Sequence, residues 1–213
     1  ALEYAGNIWK EKEYFTDEDI ENILKYYNEL SVREGIENYS VHKDGMDMVK
    51  RRLNNFSSGE KIIELEKVFG MNGEPEIITE KGVPLIGAID KVAEYDSDTL
   101  IVVDYKTLST APTSFEIKDD IQLSLYDLVA NILYPNYKRI ILSLDLLRFD
   151  PIYTYRTKEE REEFEKYLKA VYDQMCAFDP SKDAKPTLNQ FCAWCDFRNY
   201  CDAYIEACQK SNY

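Results

Sequence analysis

Two consecutive apolar runs between residues 85 and 107 constrain the fold of this chain most strongly. The first begins at Leu85 and reads Leu-Ile-Gly-Ala-Ile-Asp-Lys-Val, and the second begins at Leu100 and reads Leu-Ile-Val-Val-Asp-Tyr-Lys-Thr. A short acidic turn at 95–98, Tyr-Asp-Ser-Asp, separates them. Apolar runs of β-type residues joined by such a turn predict an antiparallel hairpin.

Each strand of this hairpin carries charged residues within apolar sequence: Asp90 on the first, Asp104 and Lys106 on the second. Because side chains at i and i+2 share one face of a strand, Asp104 and Lys106 should project together while Tyr105 points away. Buried charges are costly unless they pair or bind a metal. The hairpin is therefore a candidate metal site with an adjacent lysine. A salt bridge at a strand end is the alternative, and for a lone Asp-x-Lys it is the commoner one.

A third short motif follows on the next expected helix and completes an ordered series. The three motifs are Gly87-x-x-Asp90, Asp104-x-Lys106 and Gln122-x-x-x-Tyr126. In this order they resemble the signature of the RecB-type branch of the PD-(D/E)XK nuclease superfamily, over about residues 64–201. The resemblance implies an α/β fold with a mixed β-sheet flanked by helices, and a metal-dependent nuclease activity on DNA.

The resemblance also implies a role for each hairpin residue. Asp90 and Asp104 would be metal ligands, with the backbone carbonyl of Tyr105 as a further one. Clustered carboxylates suit hard cations, so Mg²⁺ or Mn²⁺ is the expected occupant. Lys106 would orient or deprotonate the attacking water, or stabilise charge on the phosphoryl oxygens. RecB-type enzymes often carry a glutamate on the preceding strand, which points to Glu66.

Alternation places Glu64 on the same side as Glu66, so the choice of Glu66 stays open, and a solvent-facing glutamate is the other interpretation.

Gln122 and Tyr126 are spaced i, i+4 and share one helix face. In the family this pair lies over the active site. Ordinary packing for Tyr126 and a surface amide for Gln122 are the alternatives, and the position of the pair after Asp-x-Lys favours the functional interpretation.

The family's first motif, Gly-x-x-x-His, has no clear counterpart. The only histidine is His42, and the residue four positions before it is Asn38. We expect His42 to be a loop or surface residue and the motif to lie upstream of Ala1. On this expectation the metal shell of the sequence given is incomplete.

A cysteine cluster lies near the end of the sequence. Cys192, Cys195 and Cys201 have the spacing Cys-x2-Cys-x5-Cys, which suits zinc or an iron–sulfur cluster. The segment resembles the C-terminal cysteine triplet of iron–sulfur RecB-type nucleases, including CRISPR-adaptation exonucleases, and so implies a [4Fe–4S] cluster with zinc as the alternative. No cysteine precedes Cys176, so a fourth ligand is expected upstream, or locally from Cys176 or Cys208. Three unligated thiols are the remaining possibility.

Composition limits the possible partners. The chain has 213 residues with 40 acidic and 26 basic side chains, a net charge of −14, which argues against tight non-specific binding to duplex DNA. No apolar run approaches the roughly 20 residues of a membrane span, and no signal peptide begins the sequence. We therefore expect a cytoplasmic protein with no membrane partner, and the resemblance implies one of bacterial or phage type.

The order of predicted elements is helices, about three strands, a helix, two strands and a helix, which indicates an α/β sandwich. We predict an N-terminal helical region at 1–60, a nuclease core at 61–180 and a cysteine-rich segment at 181–213. Expected helices cover 17–33, 44–55, 117–133 and 159–178. Expected strands cover 61–69, 77–79, 83–95 and 100–107, with a further hairpin of 138–148 and 151–157.

Three hypotheses follow from the sequence. The first is a Mg²⁺- or Mn²⁺-dependent deoxyribonuclease, an exonuclease on single strands or DNA ends, with a helicase or recombination partner in DNA repair. The second is a non-catalytic nucleic-acid-binding or scaffolding module of a larger DNA-processing complex, favoured by the acidic charge and the missing first motif. The third is a zinc-stapled protein-interaction domain.

Overall fold

A computed structural model describes residues 1–56 and 61–210. These residues divide into two compact units, with the division between Lys169 and Ala170. The helices of the described part are α1 (Leu2–Lys12), α2 (Asp17–Arg33), α3 (Tyr39–Asn54), α4 (Ile121–Leu133), α5 (Lys158–Ala177), α6 (Pro180–Asp183) and α7 (Asp202–Lys210). The strands are β1 (Lys61–Phe69), β2 (Ile77–Ile78), β3 (Pro84–Leu85), β4 (Gly87–Asp96), β5 (Thr99–Lys106), β6 (Arg139–Leu146) and β7 (Ile152–Thr154). The predicted domain boundaries at 60 and 180 stay a prediction.

A five-stranded mixed sheet forms the centre of the first unit, in the order β1-β4-β5-β6-β7. The pairs β1–β4, β4–β5 and β6–β7 are antiparallel, and β5–β6 is parallel. The predicted hairpin is β4–β5, and the predicted mixed α/β sheet flanked by helices is confirmed. Strands β2 and β3 form a separate two-stranded sheet.

Helix α4 makes the crossover between the parallel strands β5 and β6 and packs on both. Its fully buried Leu123, Val129 and Ala130 meet a sheet whose Val102 and Leu142 are also fully buried. Burial of this apolar surface is the main force that holds the helix against the sheet. The side chains at the N-terminal end of α4 are thereby held against the end of β5, where Asp104 and Lys106 lie.

The N-terminal helices have their own apolar cluster. Ala5, Ile23, Val49 and Leu53 are buried together, one from α1, one from α2 and two from α3. Helix α2 begins with a capping box, in which Thr16 accepts from the backbone N–H of Asp19 and the Asp19 carboxylate accepts from that of Thr16. Helix α1 was not among the predicted helices, because its sequence carries no side-chain cap at Ala1.

Two helix starts differ from the expected ones for a local reason. Helix α3 begins at Tyr39 rather than at 44, because the side chain of Asn38 caps it by accepting from the next helical N–H groups. Helix α4 begins at Ile121 rather than at 117. A short 3₁₀ turn, Glu116–Asp119, precedes it, and the Asp120 side chain then caps the helix.

The second unit contains the end of α5, the short helices α6 and α7, and two 3₁₀ turns at Cys192–Trp194 and Arg198–Tyr200. Among the described residues, none of the helices combines the length and apolarity needed to cross a membrane.

Candidate nuclease site

The candidate site begins where strands β4 and β5 stop pairing. Their ladder runs from Asp96↔Thr99 to Lys91↔Val103, so Asp90 and Asp104 are the next residues along each strand. At this position Oδ2 of Asp90 accepts the backbone N–H of Tyr105 at 2.7 Å. If the two strands continued to pair, a backbone carbonyl of β4 would accept this N–H. Here the Asp90 carboxylate accepts it instead. The two predicted aspartates come together at the point where the strands separate.

Gly87 is required at the start of β4 by a close contact with the preceding strand. It pairs with Phe69 of β1, whose ring is almost fully buried. A Cβ atom on Gly87 would lie 2.8 Å from Cζ of Phe69, closer than side-chain atoms approach in folded proteins. Glycine therefore lets β1 and β4 pair tightly three residues before Asp90.

Gln122 lies at the centre of a hydrogen-bond network that includes four of the predicted site residues. Its Oε1 accepts from Nζ of Lys106 at 2.7 Å, and its Nε2 donates to Oδ1 of Asp104 at 3.1 Å and to the hydroxyl of Tyr126 at 2.8 Å. The Tyr126 hydroxyl in turn donates to the carbonyl of Ala88 at 2.7 Å. The i, i+4 pair on α4 is thus bonded directly to the Asp-x-Lys motif on β5 and to β4.

Asp104 is buried in this network, with 3% of its surface exposed. Its Oδ2 lies 2.7 Å from Nζ of Lys106, an ion-pair contact outside hydrogen-bond geometry. Burial raises the pKa of the Asp104 carboxyl, and the Lys106 ammonium opposes this shift. Burial also raises the pKa of the Tyr126 hydroxyl, which therefore stays protonated and able to donate.

An open cleft of about 660 Å³ reaches Asp90 and the residues on either side of Lys106 in sequence. Glu66, Asp90, Tyr105 and Thr107 line it from the sheet, together with side chains of the N-terminal helices. Burial, and next the negative charge of Asp90, raise the pKa of Glu66. Glu66 also has a left-handed backbone, with φ of 47°, inside strand β1. Such conformations cost about 1–3 kcal/mol in a non-glycine residue and cluster at functional sites.

The side chains of this site offer oxygen ligands, which are the type that a hard cation prefers. The carboxylates of Glu66, Asp90 and Asp104 offer oxygen, and Oδ2 of Asp104 is buried without an aligned donor in the described part of the chain. Asp90 contributes to the raised pKa of both Glu66 and Asp104, a repulsion that a bound cation would relieve. Across residues 1–56 and 61–210, however, no three His, Cys, Asp or Glu side chains are close enough to hold a metal ion as they stand.

The cysteine segment is not assembled into a metal site in the described residues either. Cys192 and Cys201 are half-buried and Cys195 is exposed, and all three are free thiols. Asn189 donates its backbone N–H to Sγ of Cys192 at 3.3 Å. No zinc site or iron–sulfur cluster is evident in this part of the chain.

His42 does not join the site. It lies on α3, so of the two expectations, a loop or a surface residue, the loop is wrong; its Nε2 lies 3.0 Å from Oδ1 of Asn28, within hydrogen-bond distance. Its ring also contacts that of Tyr27. Two residues that contact α4 belong to no sequence motif: Arg156 donates a hydrogen bond to Ser124, and Arg161 donates one to Asp127.

Comparison with known protein families identifies the superfamily of this chain. The fold is that of a nuclease-like α/β domain, and a model of the PD-(D/E)XK nuclease superfamily matches residues 10–202. The chain belongs to that superfamily, whose members are generally hydrolytic nucleases that act on DNA and usually use Mg²⁺ or Mn²⁺.

More specific likenesses are weak. Among curated proteins, none matches the chain. A solved structure titled "Crystal structure of SSO0001" aligns with 87% of this chain and 80% of its own, at 14% identity and a TM-score of 0.38. A likeness this distant does not bear on the activity.

Proposed function

We propose that the protein is a Mg²⁺- or Mn²⁺-dependent deoxyribonuclease of the RecB-like type that hydrolyses phosphodiester bonds at Asp90, Asp104 and Lys106. The observation that carries the proposal is the fixed position of the lysine. Nζ of Lys106 lies 2.7 Å from both Oδ2 of Asp104 and Oε1 of Gln122. A structural salt bridge needs only the aspartate, whereas the added amide holds the ammonium in one orientation.

The residues divide the work of hydrolysis. Asp90, Asp104, Glu66 and the Tyr105 carbonyl would hold the cation. When bound, the cation would supply Lewis-acid charge to the phosphoryl oxygen and lower the pKa of water. Lys106 is about one-third exposed, so it can donate a hydrogen bond to a phosphoryl oxygen that gains charge in the transition state.

Gln122 and Tyr126 position these groups. Gln122 accepts from Lys106 and donates to Asp104, which keeps the ammonium and the carboxylate at fixed separation. Tyr126 anchors Gln122 to the backbone of β4 through the carbonyl of Ala88. Preorganised donors of this kind stabilise developing charge without reorganising during the reaction. Bond formation from water to phosphorus and loss of the ester oxygen would then occur next to Lys106.

The charge of the chain favours a substrate with few phosphate contacts. A net charge of −14 opposes extended binding along a duplex, because basic side chains are needed to neutralise many phosphates. Single strands and DNA ends fit this limit, and exonuclease action follows from binding at an end. We include in the proposal a helicase or recombination partner that delivers such ends inside the cell.

The cysteine triplet belongs to the proposal as a structural centre. Cys192, Cys195 and Cys201 would hold a [4Fe–4S] cluster, or zinc, with a fourth ligand from elsewhere in the protein. Thiolates are the preferred ligands of both. Iron, zinc and sulfide analysis of anaerobically purified protein, with an absorption spectrum, tests this part. Protein without bound metal in any preparation would contradict it.

A cleavage assay tests the main proposal. Single-stranded and duplex DNA, labelled at either end, is incubated with the protein and Mn²⁺ or Mg²⁺, beside Asp104→Asn and Lys106→Met. Matched controls are Asp98→Asn and Lys138→Met, which alter an exposed ion pair of 2.7 Å at the far end of the hairpin. We expect cleavage by the parent and both controls, and loss of at least about 10²-fold in the two site variants.

Cleavage that survives both site substitutions would refute the assignment of the site. Binding of DNA by a folded parent that cleaves nothing would instead support the alternative of a non-catalytic nucleic-acid-binding module.

A further inference from the structure

We propose that Arg156 is a positioning residue that fixes the first turn of α4 and thereby the orientation of Gln122. The proposal deepens the proposed function and rests on it where catalysis is concerned. Arg156 lies between β7 and α5 and is buried, with 8% of its surface exposed. It touches none of the predicted site residues, so it would act through α4.

The guanidinium of Arg156 binds acceptors on both sides of Gln122. Its Nε donates to Oγ of Ser124 at 2.9 Å, and its Nη2 donates to the carbonyls of Ile117 at 3.1 Å and Asp120 at 3.3 Å. Arg156 therefore ties together the 3₁₀ turn, the capping residue and the first turn of the helix. Gln122 lies between two of these contacts in sequence.

The Asp120 carbonyl accepts hydrogen bonds from three donors, which together hold the first turn of α4 in place. It accepts from the backbone N–H of Ser124 at 3.0 Å and from the hydroxyl of Ser124 at 2.7 Å, in addition to Arg156. The Asp120 carboxylate caps the helix by accepting from the N–H of Leu123 at 2.8 Å. Displacement of this carbonyl would move the backbone that carries Gln122.

The opposite end of the guanidinium is held by the strand from which it comes. Nη1 of Arg156 donates to Oγ1 of Thr154 at 3.3 Å and to the carbonyl of Tyr155 at 3.2 Å. Five contacts therefore use the planar fork of the arginine in full. A lysine keeps the charge but offers one ammonium group, which cannot span acceptors on α4 and β7 together.

A second arginine anchors α4 further along. Nε of Arg161 donates to Oδ2 of Asp127 at 2.6 Å, and Asp127 is fully buried. This pair holds the body of the helix, whereas Arg156 holds its first turn. Because the two anchors act at different positions, loss of Arg156 should alter the first turn while leaving α4 on the sheet.

The experiment uses Arg156→Lys and two readouts. The first is the side-chain amide NMR signal of Gln122 in glutamine-labelled protein, identified by its loss in Gln122→Ala. The other glutamines of the chain, at 174, 190 and 209, all belong to the second unit and serve as internal references. Arg139→Lys, at an exposed ion pair, is the matched control.

We expect Arg156→Lys to move the Gln122 amide signal towards that of free glutamine, and to leave the three references unchanged. A folded Arg156→Lys variant with an unmoved Gln122 signal would overturn the proposal. If Arg156→Lys does not fold, Ser124→Ala removes one acceptor of the guanidinium and should shift the same signal by a smaller amount. An unmoved signal in that variant would overturn the proposal as well.

The second readout is a double-mutant cycle in the DNA cleavage assay. Arg156→Lys should lower kcat by about tenfold to 10²-fold with KM within about twofold, because positioning errors reduce the rate of the chemical step. In the Gln122→Ala background the same substitution should have no further effect. Equal losses in both backgrounds would overturn the proposal. A parent that cleaves nothing refutes the proposed function, but the NMR result still decides the role of Arg156.

Discussion

Substitution of Gly87 by alanine tests the packing that sets up the start of strand β4. The new Cβ would lie 2.8 Å from Cζ of Phe69, and ordinary van der Waals contact begins at 3.4 Å, so the overlap is 0.6 Å. Phe69 is 1% exposed, so neighbouring atoms enclose its ring. Overpacking of this kind costs about 1–3 kcal/mol. At this chain length each kcal/mol lowers Tm by roughly 2–4 °C.

The assay is urea or thermal unfolding of Gly87→Ala, Phe69→Leu and the double variant, followed by circular dichroism. Leucine lacks the ring atoms that the new Cβ would meet, so the double variant should lose less free energy of unfolding than the sum of the two single variants. This non-additivity is expected for residues in direct contact. Gly87→Ala with parental stability, or costs that add fully, would refute the argument that glycine is needed here for space.

Three further predictions concern charged groups. Gln122→Glu should reduce the rate of DNA cleavage more than Gln122→Ala, because it places a second carboxylate next to the buried Asp104. Single-turnover rates test this prediction, and equal rates for the two variants would contradict it. The pKa of Glu66 is higher in the folded protein than its unfolded value of about 4.5, so folding favours the protonated carboxyl. Its contribution to the free energy of unfolding is therefore present below pH 4.5 and is lost as the pH rises through the higher folded pKa. The stability of Glu66→Gln relative to the parent should therefore increase from pH 4 to pH 8 in urea unfolding without added metal, and a constant difference would contradict the shift. Asp145→Ala should cost about 3–5 kcal/mol in the same unfolding assay, because it removes the carboxylate that lies 2.7 Å from the guanidinium of the buried Arg52. A loss below about 1 kcal/mol would contradict this.

The sheet hairpin and the motif residues could be predicted from the sequence because their signals are local. The alternation of side chains along a strand placed Asp104 and Lys106 on one face of β5. The helical spacing of i and i+4 placed Gln122 and Tyr126 on one face of α4. The structure bonds these four residues to one another. The ion pair between Asp104 and Lys106, considered as the alternative to a metal site, is present inside the network.

The remaining features could not be predicted because they depend on contacts between distant residues. The need for glycine at position 87 comes from Phe69 on the neighbouring strand, and no local pattern reveals that pairing. Arg156 lies 32 residues from Ser124 in sequence and 39 from Ile117, outside any motif. The start of α4 depends on which of several acidic residues caps the helix, and sequence alone did not single out Asp120.

The central claim is that Lys106, held by Asp104 and Gln122, serves phosphodiester hydrolysis rather than structure alone. The most direct test is the single-turnover rate of DNA cleavage with saturating Mn²⁺ for the parent and for Lys106→Met, with unfolding curves measured on the same preparations. The account predicts a loss of at least about 10²-fold in rate with a folded variant. Equal rates for parent and Lys106→Met, in protein whose cleavage requires Mn²⁺, would contradict it.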